Sequence, residues 1–169
     1  MKKTIYALLF MLLSSAFIAP SAKAQNFDEV YNRYKRQEGI MRVKVPKMGI
    51  ALAGLFVDAD EKEAKMFLRH TTAVRVIINE NSYRQDLADN TRKWQAHHKL
   101  EELVTLSDEG DEVEIYVLEK NNIIRQMLIM VSSSEDEQVV VHVKGNYPLE
   151  MIKKMISDGD MVGIAKNVR

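Results

Sequence analysis

Residues Val113–Gly145, VEIYVLEKNNIIRQMLIMVSSSEDEQVVVHVKG, read as three consecutive antiparallel strands. Two β-rich runs flank Asn121-Asn122, and asparagine tolerates the positive φ that a two-residue hairpin loop demands. With those two residues as the loop, counting outward pairs Val113 with Met130, Ile115 with Leu128 and Val117 with Gln126 on one face. The opposite face pairs Glu114 with Ile129, Tyr116 with Met127 and Leu118 with Arg125. A polar loop over 132–137 leads to a third strand, where Val139, Val141 and Val143 share one face and His142 and Lys144 the other. One face is nearly all apolar and the other mixed, as in an antiparallel sheet with one face fully covered. On the mixed face Tyr116, Leu118, Met127, Ile129 and Val140 are too apolar for fully wet positions. Either helices cover both faces, or these five residues form an exposed patch that binds a partner. They are the candidate binding residues.

Upstream, Phe27, Val30, Tyr31 and Tyr34 recur at helical spacing within Phe27–Gln37, with Asn26 placed to cap and Gly39 to stop the helix. Met41–Val45 alternates as a strand and Pro46 closes it. Lys47–Val57 is small and apolar, and its Ala-Leu-Ala centre predicts a buried helix. Asp60 with Glu63 forms a capping box before a helix whose inward face is Ala64, Phe67 and Leu68. Ala73–Asn79 is a strand. Ser82 with Gln85 repeats the capping pattern ahead of a polar helix to about His98, with Tyr83, Leu87, Thr91, Trp94 and His98 as its stripe. Leu100–Leu106 fits either a strand or a helical turn, and Asp108–Asp111 is a turn into the meander. Gly145–Pro148 breaks the last strand and Pro148 presets a helix with Leu149, Ile152, Met155 and Ile156 inward. The predicted fold is therefore a single two-layer α+β domain: a mainly antiparallel sheet of five or six strands, ending in a β-meander, with helices packed on it.

The N-terminus predicts an exported chain. Lys2 and Lys3 precede an apolar stretch, Ile5–Ile18, and Ala22-Lys23-Ala24 is a small-residue cleavage site, so 1–24 read as a signal peptide and 25–169 as the domain. No later stretch is apolar enough to span a membrane, which predicts a soluble periplasmic or extracellular product. No cysteine is present, so there are no disulfides and no lipid-anchoring cysteine. The 24 basic and 24 acidic residues balance, and loss of Lys2, Lys3 and Lys23 leaves the mature chain weakly acidic. Without a basic block, nucleic acid and anionic lipid are poor partners.

Motifs for chemistry are sparse. His97 and His98, adjacent on one helix, point about 100° apart and cannot share an ion as an i, i+4 pair can. His70, His97, His98 and His142 read as exposed or half-buried surface histidines. The acidic runs at 58–63 and 108–112 lack the twelve-residue calcium-loop spacing. There is no G-x-S-x-G elbow, no thiol and no glycine-rich phosphate loop. No catalytic residue, metal site or cofactor is expected, and the chain reads as more binder than enzyme. Met127, Met130, Met151 and Met155 fall at core-like spacing; the alternative use of methionine is a surface that accommodates varied partners.

Several of these pieces together resemble a family of exported bacterial proteins, mostly from the Bacteroidota, known as domain of unknown function 4252. The matching parts are the early helix before Glu38-Gly39-Ile40, the Met41–Val45 strand, the apolar Lys47–Phe56 helix, Val113–Glu119 before a polar turn, and a strand ending at Gly145 just before Leu149–Met155. Many members look like lipoproteins; this chain departs from them in lacking the cysteine. The family's frequent proximity to genes for extracytoplasmic-function sigma factors implies envelope signalling, with no established activity or site residues. The expected function is thus a non-enzymatic module that binds an envelope protein or peptide. The alternative is a small-molecule binder or unrecognised hydrolase with a cleft between the sheet and the Trp94 helix.

Overall fold

The computed structural model describes residues 26–55, 62–80, 83–133 and 136–157. In chain order these form α1 (Asp28–Arg33), β1 (Ile40–Pro46), α2 (Lys47–Ala53), α3 (Lys62–His70), β2 (Thr71–Asn79) and α4 (Gln85–His97). Then come β3 (Glu101–Asp108), β4 (Asp111–Lys120), β5 (Ile123–Ser132), β6 (Gln138–Pro148) and α5 (Leu149–Ser157). The succession of helices and strands is the one expected, and the Leu100–Leu106 run resolves as strand. The leader, the Asp60 capping box, Ser82 and the tail beyond Gly159 lie outside the described residues. All strands belong to one antiparallel sheet in the order β1-β2-β6-β5-β4-β3, so the described residues form a single α+β domain.

The hairpin loop is where the sequence places it, with Asn121 and Asn122 at φ 56° and 60°. The register beyond it is not. Lys120 pairs with Ile123 and Glu119 with Ile124, but Leu118 then pairs with Gln126, leaving Arg125 as an extra residue on β5. From that bulge onward every pairing moves by one: Val117 faces Met127, Tyr116 faces Leu128 and Ile115 faces Ile129. A one-residue shift turns side chains to the other face. Here it sets Val113, Ile115 and Val117 beside Met127, Ile129 and Val131, so one face becomes wholly apolar there. The burial gained outweighs the locally disrupted ladder, since each fully buried side chain of this kind contributes about 1.5–3 kcal/mol and a ladder hydrogen bond about 1.

Both faces of the sheet carry helices, which settles the alternatives open for the mixed face and makes the sheet a middle layer where two layers were expected. On one face Phe27, Val30, Tyr31 and Tyr34 of the α1 segment and Leu87 and Trp94 of α4 pack on Ile77, Leu128, Met130 and Val140. On the other, Ile152 and Met155 of α5, with Phe67 of α3, pack on Val117, Met127, Val143 and Tyr147.

Polar links pin the first layer. Arg75 of β2 grips Asp28 of α1 through two bonds, and Arg92 of α4 donates to both carboxylate oxygens of Glu114 on β4 at 3.2 Å. Arg42 of β1 donates to the Tyr31 carbonyl at 2.6 Å and lies 4.5 Å over its ring.

Three further local expectations are corrected. Phe27, not Asn26, sits at the N-cap of α1, because the Asn26 side chain donates instead to Asp28 at 2.6 Å. Arg84 takes the cap position of α4 with no side-chain cap. Gly145 does not end β6, which continues to Pro148 by pairing Tyr147 with Ile124 and Pro148 with Ile123. Gly145 is required there because a Cβ would collide with the Tyr147 ring and the His70 carbonyl.

Candidate functional site

The five residues singled out from the sequence do not form one surface. The shifted register places Tyr116, Leu118 and Val140 under α1 and α4, and Met127 and Ile129 on the opposite face. Met127, Ile129 and Val140 are buried; Tyr116 and Leu118 are half-buried against the first core. The space between the sheet and the Trp94 helix is packed with Leu87, Thr91, Trp94 and Phe27. A hollow of about 190 Å³ lies between α1 and α4, lined by Glu29, Val30, Arg33, Asn90, Lys93 and Trp94 among others.

His142, expected near the surface, is the most thoroughly buried of the histidines. Its ring stacks on Phe27 at 4.7 Å and meets Trp94 edge-on at 5.1 Å, and Nε2 lies 2.9 Å from Gln126 Oε1. Burial, reinforced by the charges of Lys144 and Arg75, pushes its pKa down to about 3. The ring is therefore neutral at pH 7, with Nε2–H donating to the Gln126 carbonyl and Nδ1 without a partner among the described residues. His98 stacks on Trp94 at 4.2 Å with Nδ1 2.8 Å from the Trp94 carbonyl, and His97 meets it edge-on. Among the described residues no three His, Asp or Glu side chains converge in a metal-ligating group.

What the sequence reading missed is α2. Its apolar composition all round predicts burial, yet only Ile50 is buried, while Met48, Leu52 and Leu55 are 77%, 55% and 77% exposed. Beside them Met41 and Val43 of β1 and Met66 of α3 are exposed as well. Ile50 is the buried side chain of the helix, Gly49 approaches Val45, and Gly54 just beyond the helix lies near Leu68. The methionines accordingly divide. Met127, Met130 and Met155 fill the core as expected, whereas Met41, Met48 and Met66 stand in solvent at the β1–α2–α3 corner. No local signal marks this exposure, because whether Met48 and Leu52 are covered depends on the area that β1 and α3 present to the helix.

Between α2 and α3 lies a cleft of about 440 Å³, lined by Lys47, Ile50, Ala51, Gly54 and Leu55 from one side and Lys65, Leu68, Arg69 and Thr71 from the other. That volume is within the range of ligand-binding clefts. Thr71 closes its floor and is itself occupied, bonding the Tyr147 hydroxyl at 2.6 Å and donating to the Phe67 carbonyl at 2.8 Å. The corner offers thioether and aliphatic surface with amines and a guanidinium at its rim, which suits recognition by contact and charge.

A six-stranded antiparallel sheet between helical layers, with an uncovered apolar corner beside a basic cleft, defines the class: a compactly cored α+β domain with a candidate binding surface. Residues 34–155 match the family model described as domain of unknown function (DUF4252), and the chain belongs to that family. The match runs from Tyr34 to Met155 and so takes in the whole sheet and the corner. No curated protein and no solved structure matches the chain. No described helix is long and apolar enough to cross a membrane.

Proposed function

We propose that this protein is an exported, non-enzymatic module that binds a protein or peptide partner in the cell envelope, and that its binding surface is the β1–α2–α3 corner rather than the meander. The observation that carries this reading is the exposure of Met48 and Leu52 on one short helix and of Leu55 in the turn that follows it. Contiguous apolar side chains left in water on an otherwise well-buried fold mark interaction surfaces, and each Leu or Met fully covered by a partner contributes about 1.5–3 kcal/mol. Methionine suits a contact surface because its unbranched thioether repacks against different partners. Export is supported by the charged, apolar and A-x-A succession of residues 1–24, and N-terminal sequencing of the protein from its cell is expected to begin at Gln25.

Site-specific photocrosslinking in intact cells tests the surface. A photoreactive residue at position 52 is expected to capture a reproducible envelope protein, and one at Lys93, on the opposite helical layer, is expected not to. Met48→Ser with Leu55→Ser should abolish the captured species while leaving thermal unfolding unchanged. Capture that is identical from both positions, or that survives the double substitution, would place the binding surface elsewhere.

A further inference from the structure

The cleft at this corner is chemically lopsided. One wall runs from Lys47, Ile50 and Ala51 of α2 into Gly54 and Leu55 just beyond it, and the other is the Lys65, Leu68 and Arg69 stripe of α3. Ile50, Leu55 and Leu68 give it apolar surface above Thr71, three positive charges stand at its edges, and no carboxylate lines it among the described residues. Lys47, Lys65 and Arg69 have no carboxylate partner among the described residues.

We infer that this cleft receives an acidic amphipathic segment of a partner protein, with its apolar side chains on the Ile50 and Leu68 floor and its carboxylates at Lys47, Lys65 and Arg69. This partner chemistry rests on the corner being the binding surface and adds the charge of what binds there. Concavity favours an inserted segment over a flat lipid surface, and a chain with 24 basic and 24 acidic residues has no net attraction to an anionic membrane. Size favours a segment over a free amphiphile. An occupant of about 440 Å³ fills the cleft alone, whereas Met48, Leu52 and Met66 lie outside its lining and are covered only by something broader. A helix laid in a groove does both, anchoring on spaced apolar residues while its flank meets the rim. Three exposed charge pairs at the rim are weak singly and screened over about 8 Å at physiological salt, so the association is salt-sensitive.

The test uses the full chain and a fluorescein-labelled peptide of about four helical turns, leucine on one face and glutamate on the other, read by anisotropy. A version with lysine for glutamate is the charge control. The Leu/Glu peptide is expected to bind, with the Leu/Lys peptide at least roughly tenfold weaker. Lys65→Glu with Arg69→Glu is expected to invert that preference without moving the unfolding midpoint, because neither side chain is buried. Met48→Ser with Leu52→Ser should weaken binding of the Leu/Glu peptide while keeping its charge preference. Absence of Leu/Glu binding, or binding indifferent to the charge reversal, overturns the acidic partner. Indifference to charge combined with loss in the Met48/Leu52 variant leaves the corner as a binding surface and removes only the acidic partner. Binding of oleate or phosphatidylglycerol vesicles that needs Lys65 and Arg69, without peptide binding, overturns the inference in favour of a lipid.

Discussion

Arg75 and Asp28 join the central sheet to the first helix through a two-pronged ion pair, Nε to Oδ1 at 2.5 Å and Nη2 to Oδ2 at 2.8 Å, with the Arg75 side chain only 6% exposed. Burial alone would raise the Asp28 carboxyl. The Arg75 bonds and charge, with Lys44 and Lys144 behind them, outweigh it and hold its pKa below the ordinary value. Asp28→Ala leaves a guanidinium buried without its counter-charge and is expected to cost about 3 kcal/mol, the low end for breaking a buried pair because Asp28 keeps 31% exposure. Arg75→Met in addition should recover most of that loss, as replacing both partners by apolar volume often does. Urea unfolding of the single and double variants measures both; a single-variant loss below about 1 kcal/mol would reduce the pair to a surface contact.

His142 makes stability fall in mild acid. Its folded-state pKa of about 3 lies below the ordinary 6.5, so between those values the unfolded chain binds a proton that the native state refuses. Native stability is therefore full above about pH 6.5 and declines as pH drops toward 3, with a slope approaching about 1.4 kcal/mol per pH unit. The depressed Asp28 pKa acts in the same direction, below its ordinary 3.8. His142→Phe, which keeps the stack on Phe27, should flatten the slope between pH 6 and about 4.5. An unchanged slope in that variant would assign the acid sensitivity to another group.

The pairing beyond Arg125 is expected to matter more than the bulged residue itself. Arg125→Ala removes an exposed link to Asn146 and should change stability by about 0.5 kcal/mol or less. Deleting Arg125 joins Ile124 directly to Gln126, so the pairs Leu118–Gln126, Val117–Met127 and Ile115–Ile129 can all persist without a bulge, Met127 and Ile129 keep their core face, and the cost should stay at about 1–3 kcal/mol. A loss on the order of 5 kcal/mol on deletion would show instead that the bulge itself holds the two strands in register.

Gly145→Ala is expected to destabilise by about 3 kcal/mol, because the added methyl overlaps the Tyr147 ring and the His70 carbonyl, and the buried ring has no free space to retreat into. Tyr147→Phe should cost about 1 kcal/mol for the lost bond to Thr71. If Tyr147→Ala, combined with Gly145→Ala, proves no better tolerated than Tyr147→Ala alone plus the full glycine cost, the clash lies with the backbone rather than the ring.

Much was legible because it is written in local chemistry. Asn121-Asn122 specifies a positive-φ loop, the alternation of β4 and the Val139/Val141/Val143 face specifies strands, and the stripes of α4 and α5 specify their inward sides. The proposed binding surface was not legible for a corresponding reason. Whether Met48 is core or surface depends on how much apolar area β1 and α3 present to α2, and nothing within Lys47–Ala53 states that. The single basic residues Lys47, Lys65 and Arg69 make no block in the chain and gather only where two helices meet.

By itself, the sequence determined the order of elements, their antiparallel pairing and the apolar character of each, since periodicity, turn residues and capping act within a few residues. Only the tertiary structure decided which face each strand shows, because one bulged arginine reverses a period of two. It alone also decided which apolar helix remains in water, because burial is settled by the total surface available to cover it, not by composition.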